Sequence, residues 1–386
     1  TSRCHASCRQ SETSSPGPVG YRIPTFDYRT LLQIRRRLTQ EDKEGEKDKG
    51  NKTTKTAATA PKKGSKSKKR GGTVEDSKDS NWSDEGKRNA AKFMRTYADL
   101  GIDGIKAEYR EKIESYKSPS YSDAAYKANM AKNRHKHLTT LSDDLRVSMD
   151  EGKRYINASW LYDKTKVHRQ YILTQTPLES TMEDFWTMVF EHKVIVVAIL
   201  CDNQENGQEI MPDFWPTKPG DFKNYGNMAV SFKKSEEIAK EIVTQLEVLP
   251  EGCSNSHLVC IVQFKAWGET FTQSMGRNLL KVIRVIAKVE GLTAGPIAVM
   301  DELSGISRAS IMCCADVYSA LIYKGDKQAT LPDVCKWARK ARPGAVKSED
   351  DYLSIIKTIM EYLYRTNQEK FAEQFQKICG NPEDLN

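Results

Sequence analysis

The sequence predicts an α/β fold, a twisted mixed sheet flanked by helices. Three observations carry that expectation. Ile297 to Met300 is a short apolar run of strand length, followed by a Ser/Gly loop and then by a helical pattern. In that pattern, Arg308 to Tyr323, apolar residues fall at 311, 312, 315, 318, 321 and 322. Val194 to Leu200 is an unbroken apolar run of three valines, two isoleucines, an alanine and a leucine, the composition of a buried strand.

Taken in order, Ser83-Asp-Glu-Gly86 offers a helix cap, and Ala90, Phe93, Met94, Tyr97 and Leu100 then recur at helical spacing. Gly101 and Gly104 interrupt this helix, and Ile105 to Tyr116 resumes it with a charged face. Val194 to Leu200 is the first buried strand of the second half, and Val259 to Trp267 alternates into another. Tyr352 to Tyr362 closes the chain as a helix. The strand–loop–helix at Pro296 to Ser310 is the chemically suggestive element. A loop feeding a helix N-terminus aims several backbone N–H groups at one place, and Arg308 adds a cation, so the segment has the form of an anion site.

That segment, Asp301-Glu-Leu-Ser-Gly-Ile-Ser-Arg308, resembles the phosphate-binding loop of the phosphotyrosine-specific protein phosphatases, His-Cys-Ser-x-Gly-x-Gly-Arg-[Ser/Thr]. Ser304, Gly305, Ile306, Ser307 and Arg308 form the remnant of the phosphate loop. Glu302 stands at the position of the nucleophilic cysteine, and Asp301 at that of the preceding histidine. Further segments support the resemblance over roughly residues 85 to 370. Asn133-Arg-His135, with His137, is similar to the substrate slot, with His135 where a tyrosine would stack and His137 where an acid would hold substrate backbone. Tyr155-Ile-Asn-Ala-Ser159, Thr174-Gln-Thr-Pro-Leu178 and Asp184-Phe-Trp186 follow scaffold motifs of the family. Trp267-Gly268-Glu269 stands at the mobile acid loop, and Lys347 and Asp351 replace two glutamines that position water.

The family's mechanism, as the resemblance implies it, needs a thiolate nucleophile, an acid that protonates the leaving phenolate, and an arginine with backbone amides around the phosphoryl oxygens. Here Arg308 and a candidate acid, Glu269, remain. None of the nine cysteines precedes an arginine by six residues, and Cys313 and Cys314 fall inside the predicted helix. Two readings of Asp301 and Glu302 stay open: they drifted after catalysis was lost, or they act as a built-in ligand that closes the pocket, with Arg308 paired to one of them. His135 either stacks on a ligand or sits on the surface, and with His137 it lacks a third metal ligand near in sequence. No cofactor is expected, and the tryptophans and family-position aromatics are expected in the core.

Mean hydropathy is −0.65, low for a chain that folds throughout. Lys43 to Gly72 holds eleven lysines and arginines against three acids, a surplus of eight that equals the net charge of the whole chain. This stretch has no aromatic residue and no periodic apolar face. Residues 1–80 are therefore expected to form a disordered, Lys-rich tail, 81–375 one phosphatase-like domain, and 376–386 a C-terminal tail. The run Lys62 to Arg70 suits polyanion contact or nuclear import as well as a solvated linker, and Leu31 to Leu38 suits a short helix. No apolar run approaches the roughly 18 residues that span a bilayer. Cysteines 201, 260, 313 and 314 in apolar surroundings suggest reduced thiols and a cytoplasmic chain, with the nucleus as alternative. The functional expectation is a catalytically inactive domain that engages a protein partner, such as a phosphotyrosine protein or a kinase. An enzyme using unusual residues and a polyanion tether acting through the tail are the alternatives.

Overall fold

The computed structural model describes residues 82–117, 122–137, 141–161, 169–205, 207–265, 274–290, 295–326, 328–366 and 368–381. The basic tail, Leu31 to Leu38 and the acid-loop segment Trp267-Gly268-Glu269 lie outside them.

Helix α1, Asp84–Tyr109, begins where the Ser83 hydroxyl accepts the Gly86 N–H at 3.0 Å, which satisfies one of the unpaired donors of the first turn. Gly101 breaks its regularity with φ +66°, and the chain continues through a π-helical turn, Arg110–Glu114. A short helix α2, Ala124–Ala128, leads to strands β1, Ala158–Leu161, and β2, Tyr171–Gln175. Helix α3, Met182–Glu191, precedes β3, Val196–Ile199. A hairpin of β4, Gln204–Glu205, and β5, Gln208–Glu209, is followed by β6, Phe222–Tyr225, β7, Met228–Ile238, β8, Glu241–Pro250, and β9, His257–Gln263. Then come α4, Ser274–Glu290, β10, Ile297–Asp301, and four helices: α5, Arg308–Lys324, α6, Leu331–Ala341, α7, Glu349–Thr366, and α8, Gln368–Cys379.

The main sheet has eight strands in the order β1-β2-β10-β3-β9-β8-β7-β6. β10 lies parallel between β2 and β3, β3 runs parallel to β9, and the remaining pairs are antiparallel. The sheet is therefore mixed, as the sequence predicts. Parallel strands covered on both faces are continuously apolar. That explains why the segments at 194–200 and 297–300 show no polar alternation.

Side-chain alternation divides the core into two layers. Tyr171, Leu173, Val196, Ala198, Ile297 and Val299 face the larger layer, beneath α1, α4, α5, α7 and α8. Ile172, Val197, Ile199, Ala298 and Met300 face the smaller one, where Phe185, Trp186 and Phe214 meet edge to face or tilted. Each buried aliphatic side chain contributes about 1.5–3 kcal/mol, so the central strand is held from both sides. Of the tryptophans, Trp186 is fully buried, whereas Trp82, Trp160, Trp215 and Trp337 are partly buried rim residues, a correction to the expectation of core positions throughout.

The C-terminal boundary also moves. Helix α8 runs to Cys379 and buries Phe371, Phe375, Ile378 and Cys379, so the packed unit passes the expected limit at residue 375. The apolar positions of this helix were too few to stand out before their partners on α1 and α7 were known. Cysteines 201, 313, 314, 335 and 379 are free and buried, and burial pushes the Cys379 thiol up to about 12 and the Cys260 thiol up to about 11. Among the described residues no helix is long and apolar enough to cross a membrane.

Candidate functional site

The site lies at the C-terminal end of β10, between its parallel neighbours, where the loop 302–307 turns into α5. In open α/β sheets this is the place where ligands collect. The local sequence accounts for the turn. Ser304 and Gly305 are consecutive left-handed residues, with φ +61° and +81°. A Cβ on Gly305 would stand 3.2 Å from the Thr174 carbonyl oxygen and 3.3 Å from its nitrogen, so a side chain there is strained in both conformation and space.

The amides of this loop already have an anion. The Asp301 carboxylate is fully buried and accepts four backbone N–H groups. Oδ1 takes those of Leu303, at 3.0 Å, and Gly305, at 2.6 Å. Oδ2 takes those of Ser307, at 3.1 Å, and Ala309, at 2.9 Å. The loop therefore wraps around a carboxylate supplied by its own chain. Of the two acids that the sequence offered to Arg308, Asp301 is held by these amides and the N-terminus of α5, which complement its charge.

Arg308 is held by other carboxylates. Its Nη1 and Nη2 donate to the two oxygens of Glu205 at 2.7 and 3.1 Å, and Nη1 also donates to the Leu200 carbonyl at 3.1 Å. Glu302 Oε2 stands 3.0 Å from the same Nη1. Burial and the Asp301 charge push the Glu302 carboxyl up to about 8, against the pull of Arg308. The arginine is shared with Glu205, so its field on Glu302 is weaker than an exclusive partner's would be.

His135 reaches the loop as well. Its Nε2 lies 2.7 Å from the Glu302 carbonyl oxygen, and since a carbonyl only accepts, Nε2 carries the proton. The ring is half-buried on the loop, so of the two readings of His135 the plain surface one does not hold, while His137 is exposed. Among the described residues no cluster of three or more histidines, cysteines or acids could hold a metal ion.

The other slot residues are scaffold by geometry. Asn133 is buried, and its Oδ1 accepts from Tyr155 Oη at 2.6 Å and from Asn157 Nδ2 at 2.8 Å. Arg134 donates from Nη2 to the Pro177 carbonyl at 2.7 Å and from its backbone N–H to Gln175 Oε1 at 2.9 Å. Asp351 accepts the Lys347 N–H at 3.0 Å and the Ser307 hydroxyl at 3.3 Å, so it touches the loop, whereas the Lys347 side chain is exposed. Desolvation pushes the Asp351 carboxyl up to about 6. Ile306 is buried beneath the turn.

Two groups at the site had no usable signal in the sequence. Glu205 is one acid in a polar hairpin, with nothing local to tie it to Arg308. Arg342 is fully buried and donates to the Ser304 carbonyl at 2.7 Å, Asn157 Oδ1 at 2.6 Å and Ser159 Oγ at 3.3 Å. Burial lowers its pKa to about 10, which leaves it charged at neutral pH. The only sequence hint was a charge directly before Pro343-Gly344.

A pH dependence follows from the two raised carboxyls. In the native state Glu302 and Asp351 hold protons that the unfolded chain has released. The unfolded state then binds fewer protons, so stability falls as pH rises. Their contribution is fully present below the ordinary carboxyl range, fades through about 6 for Asp351, and is gone above about 8 for Glu302. Urea midpoints measured across this window are expected to fall with rising pH. Glu302→Gln should flatten the upper part of the profile. An unchanged slope in that variant would show that Glu302 is not the titrating group.

Comparison with known proteins gives consistent matches. The protein-tyrosine phosphatase family model matches residues 129–361. "Tyrosine-protein phosphatase non-receptor type 20" of Rattus norvegicus is 26% identical over 265 residues, which cover 67% of this chain and 61% of that protein. Its Homo sapiens counterpart is 30% identical over 240 residues, 61% of this chain and 55% of that protein. "Receptor-type tyrosine-protein phosphatase alpha" of Homo sapiens is 27% identical over 214 residues, 55% of this chain and 26% of that protein. The chain thus spans less than two thirds of the length of each of these relatives.

Proposed function

The chain belongs to the protein-tyrosine phosphatase family, and from that premise we propose that this member is catalytically inactive and works as a protein-interaction module that regulates signalling partners. The observation that carries the reading is the Asp301 carboxylate, which occupies three N–H groups of the loop, those of Leu303, Gly305 and Ser307, and that of Ala309 in the first turn of α5, donors that would otherwise be open to a phosphoryl group. Glu302 at the nucleophile position supports it. A buried carboxyl held up to about 8 is mostly protonated at neutral pH and is a poor nucleophile. Aspartyl-phosphate-type chemistry by Glu302 would also place a phosphate dianion against Asp301 and Glu205, with like-charge repulsion on both sides.

Cytoplasmic location, a phosphotyrosine protein or kinase as partner, and polyanion contact through Lys62 to Arg70 belong to the same proposal. They rest on the composition of the chain and on the names of its relatives.

The test is turnover of para-nitrophenyl phosphate and of a phosphotyrosine peptide by the purified full chain. Wild type is expected to remain at background. Glu302→Cys is expected to restore little, because a thiolate would still face Asp301 and lack the positioning groups replaced by Lys347 and Asp351, each of which typically matters by about 10²–10⁴-fold. Robust wild-type turnover that disappears in Glu302→Ala would establish carboxylate catalysis and overturn the reading.

A further inference from the structure

We propose that a cationic groove between α1 and α8, remote in sequence from the phosphate loop, is a docking site for an acidic peptide segment of a partner protein. The groove has a volume of about 560 Å³, and its basic lining is Lys87, Arg88, Lys92 and Arg95 from α1 with Lys370 from α8. Arg88, Lys92 and Arg95 follow one another at intervals of four and three residues, so they form one stripe along the helix, and all three are exposed. At about 1.5 Å of rise per residue they stand about 6 Å and about 4.5 Å apart along the axis, and their long flexible side chains span the difference from the roughly 6.6 Å between alternate side chains of an extended strand. An extended segment with acids at alternate positions would therefore meet one cation with each.

The charge balance is one-sided. Glu85 is the one acid in the lining, and it pairs with Arg88 at 2.6 Å. Among the described residues no carboxylate pairs with Lys92, Arg95 or Lys370. Outside the tail the chain is close to neutral, so this concentration of cations is a local feature. The basic run of the chain's own tail, Lys62 to Arg70, is a poor occupant because it carries the same sign. The shape and lining favour a peptide over other polyanions. A concave surface makes little contact with a bilayer, and the lining contains no aromatic side chain on which bases of a single strand would stack. The proposal is independent of whether the phosphate loop is active.

The experiment uses the full chain and fluorescence anisotropy with a labelled deca-glutamate peptide. An oligo-dT strand of similar length and phosphatidylserine vesicles serve as parallel probes. Wild type is expected to bind the peptide saturably, with affinity that falls as salt rises. The double variant Lys92→Glu with Arg95→Glu should lose at least about tenfold, and Lys92→Ala with Arg95→Ala less, since a reversed charge repels where a neutral one only fails to attract. Both pairs are exposed, and unchanged thermal melts would establish that they fold. A tail variant with the lysines of 62–70 changed to glutamine separates the second cationic segment and should retain most of the peptide binding. The proposal is overturned if wild type does not bind the peptide or if only the tail variant loses it. Tighter binding of oligo-dT or vesicles through Lys92 and Arg95 would overturn the assignment to a peptide. The turnover assay reads the phosphate loop alone, so its outcome is separate from this one.

Discussion

Asp301→Ala is expected to lower the stability of the domain by about 4 kcal/mol, from hydrogen bonds to a charged group worth about 1.5–3 kcal/mol each and far from additive. The carboxylate is fully buried at the end of the central strand and accepts the N–H groups of Leu303, Gly305, Ser307 and Ala309. Its removal strands those donors in a turn that also contains two left-handed residues, Ser304 and Gly305. Asp301→Asn is expected to fall between alanine and wild type. Its amide oxygen can still accept two of the N–H groups, but its NH₂ faces the other two donor to donor. Urea unfolding of the three proteins at one pH measures the order. Equal stability of Asp301→Ala and wild type would mean that water reaches the loop amides, and that the loop needs no internal anion.

Asp316→Ala should cost about 3–5 kcal/mol, the usual penalty for removing one partner from a buried ion pair. Asp316 on α5 is buried, and Oδ2 accepts Arg169 Nη1 at 2.7 Å and Tyr171 Oη at 2.8 Å. Arg169 is buried too and reaches Glu290 of α4 through Nε at 2.5 Å. The cluster joins the start of β2 to two helices on one face of the sheet. Without Asp316, a guanidinium in low dielectric loses one of the two carboxylates that it meets among the described residues, and the Tyr171 hydroxyl loses its acceptor. Asp316→Asn should lose less, because an amide oxygen can accept from Tyr171 or Arg169. Thermal unfolding with a second probe, near-ultraviolet circular dichroism of the tyrosines, follows both effects. A loss of less than about 1 kcal/mol, the net worth of one ordinary hydrogen bond, would show that Glu290 alone holds Arg169.

The fold was legible in the sequence because its signals are local. A strand buried on both faces must be apolar without interruption, and Val194 to Leu200 and Ile297 to Met300 could be little else. The spacing of apolar residues after Arg308 gave α5 to within one residue of its end. The identity of the loop was legible for the same reason, since Ser304-Gly305 and Arg308 keep their order and spacing along the chain. So was the absence of a cysteine six residues before Arg308, which is a matter of reading letters.

The partners of those letters were decided by the tertiary structure. Arg308 meets Glu205, 103 residues earlier, because the same guanidinium that reaches the Leu200 carbonyl at the end of β3 also reaches the β4 strand that follows it. Arg342 meets Ser304 and Asn157 only because α6 is followed by a turn that enters the same buried space. His135 could have been a surface residue until the slot segment was laid against the Glu302 carbonyl. The choice between Asp301 and Glu302 as the group inside the loop is of the same kind. Both are acids, adjacent in sequence, but Asp301 is the last residue of β10 whereas Glu302 already belongs to the turn that follows it. The register of β10 between β2 and β3 therefore turns Asp301 toward the loop amides and leaves Glu302 beside the arginine.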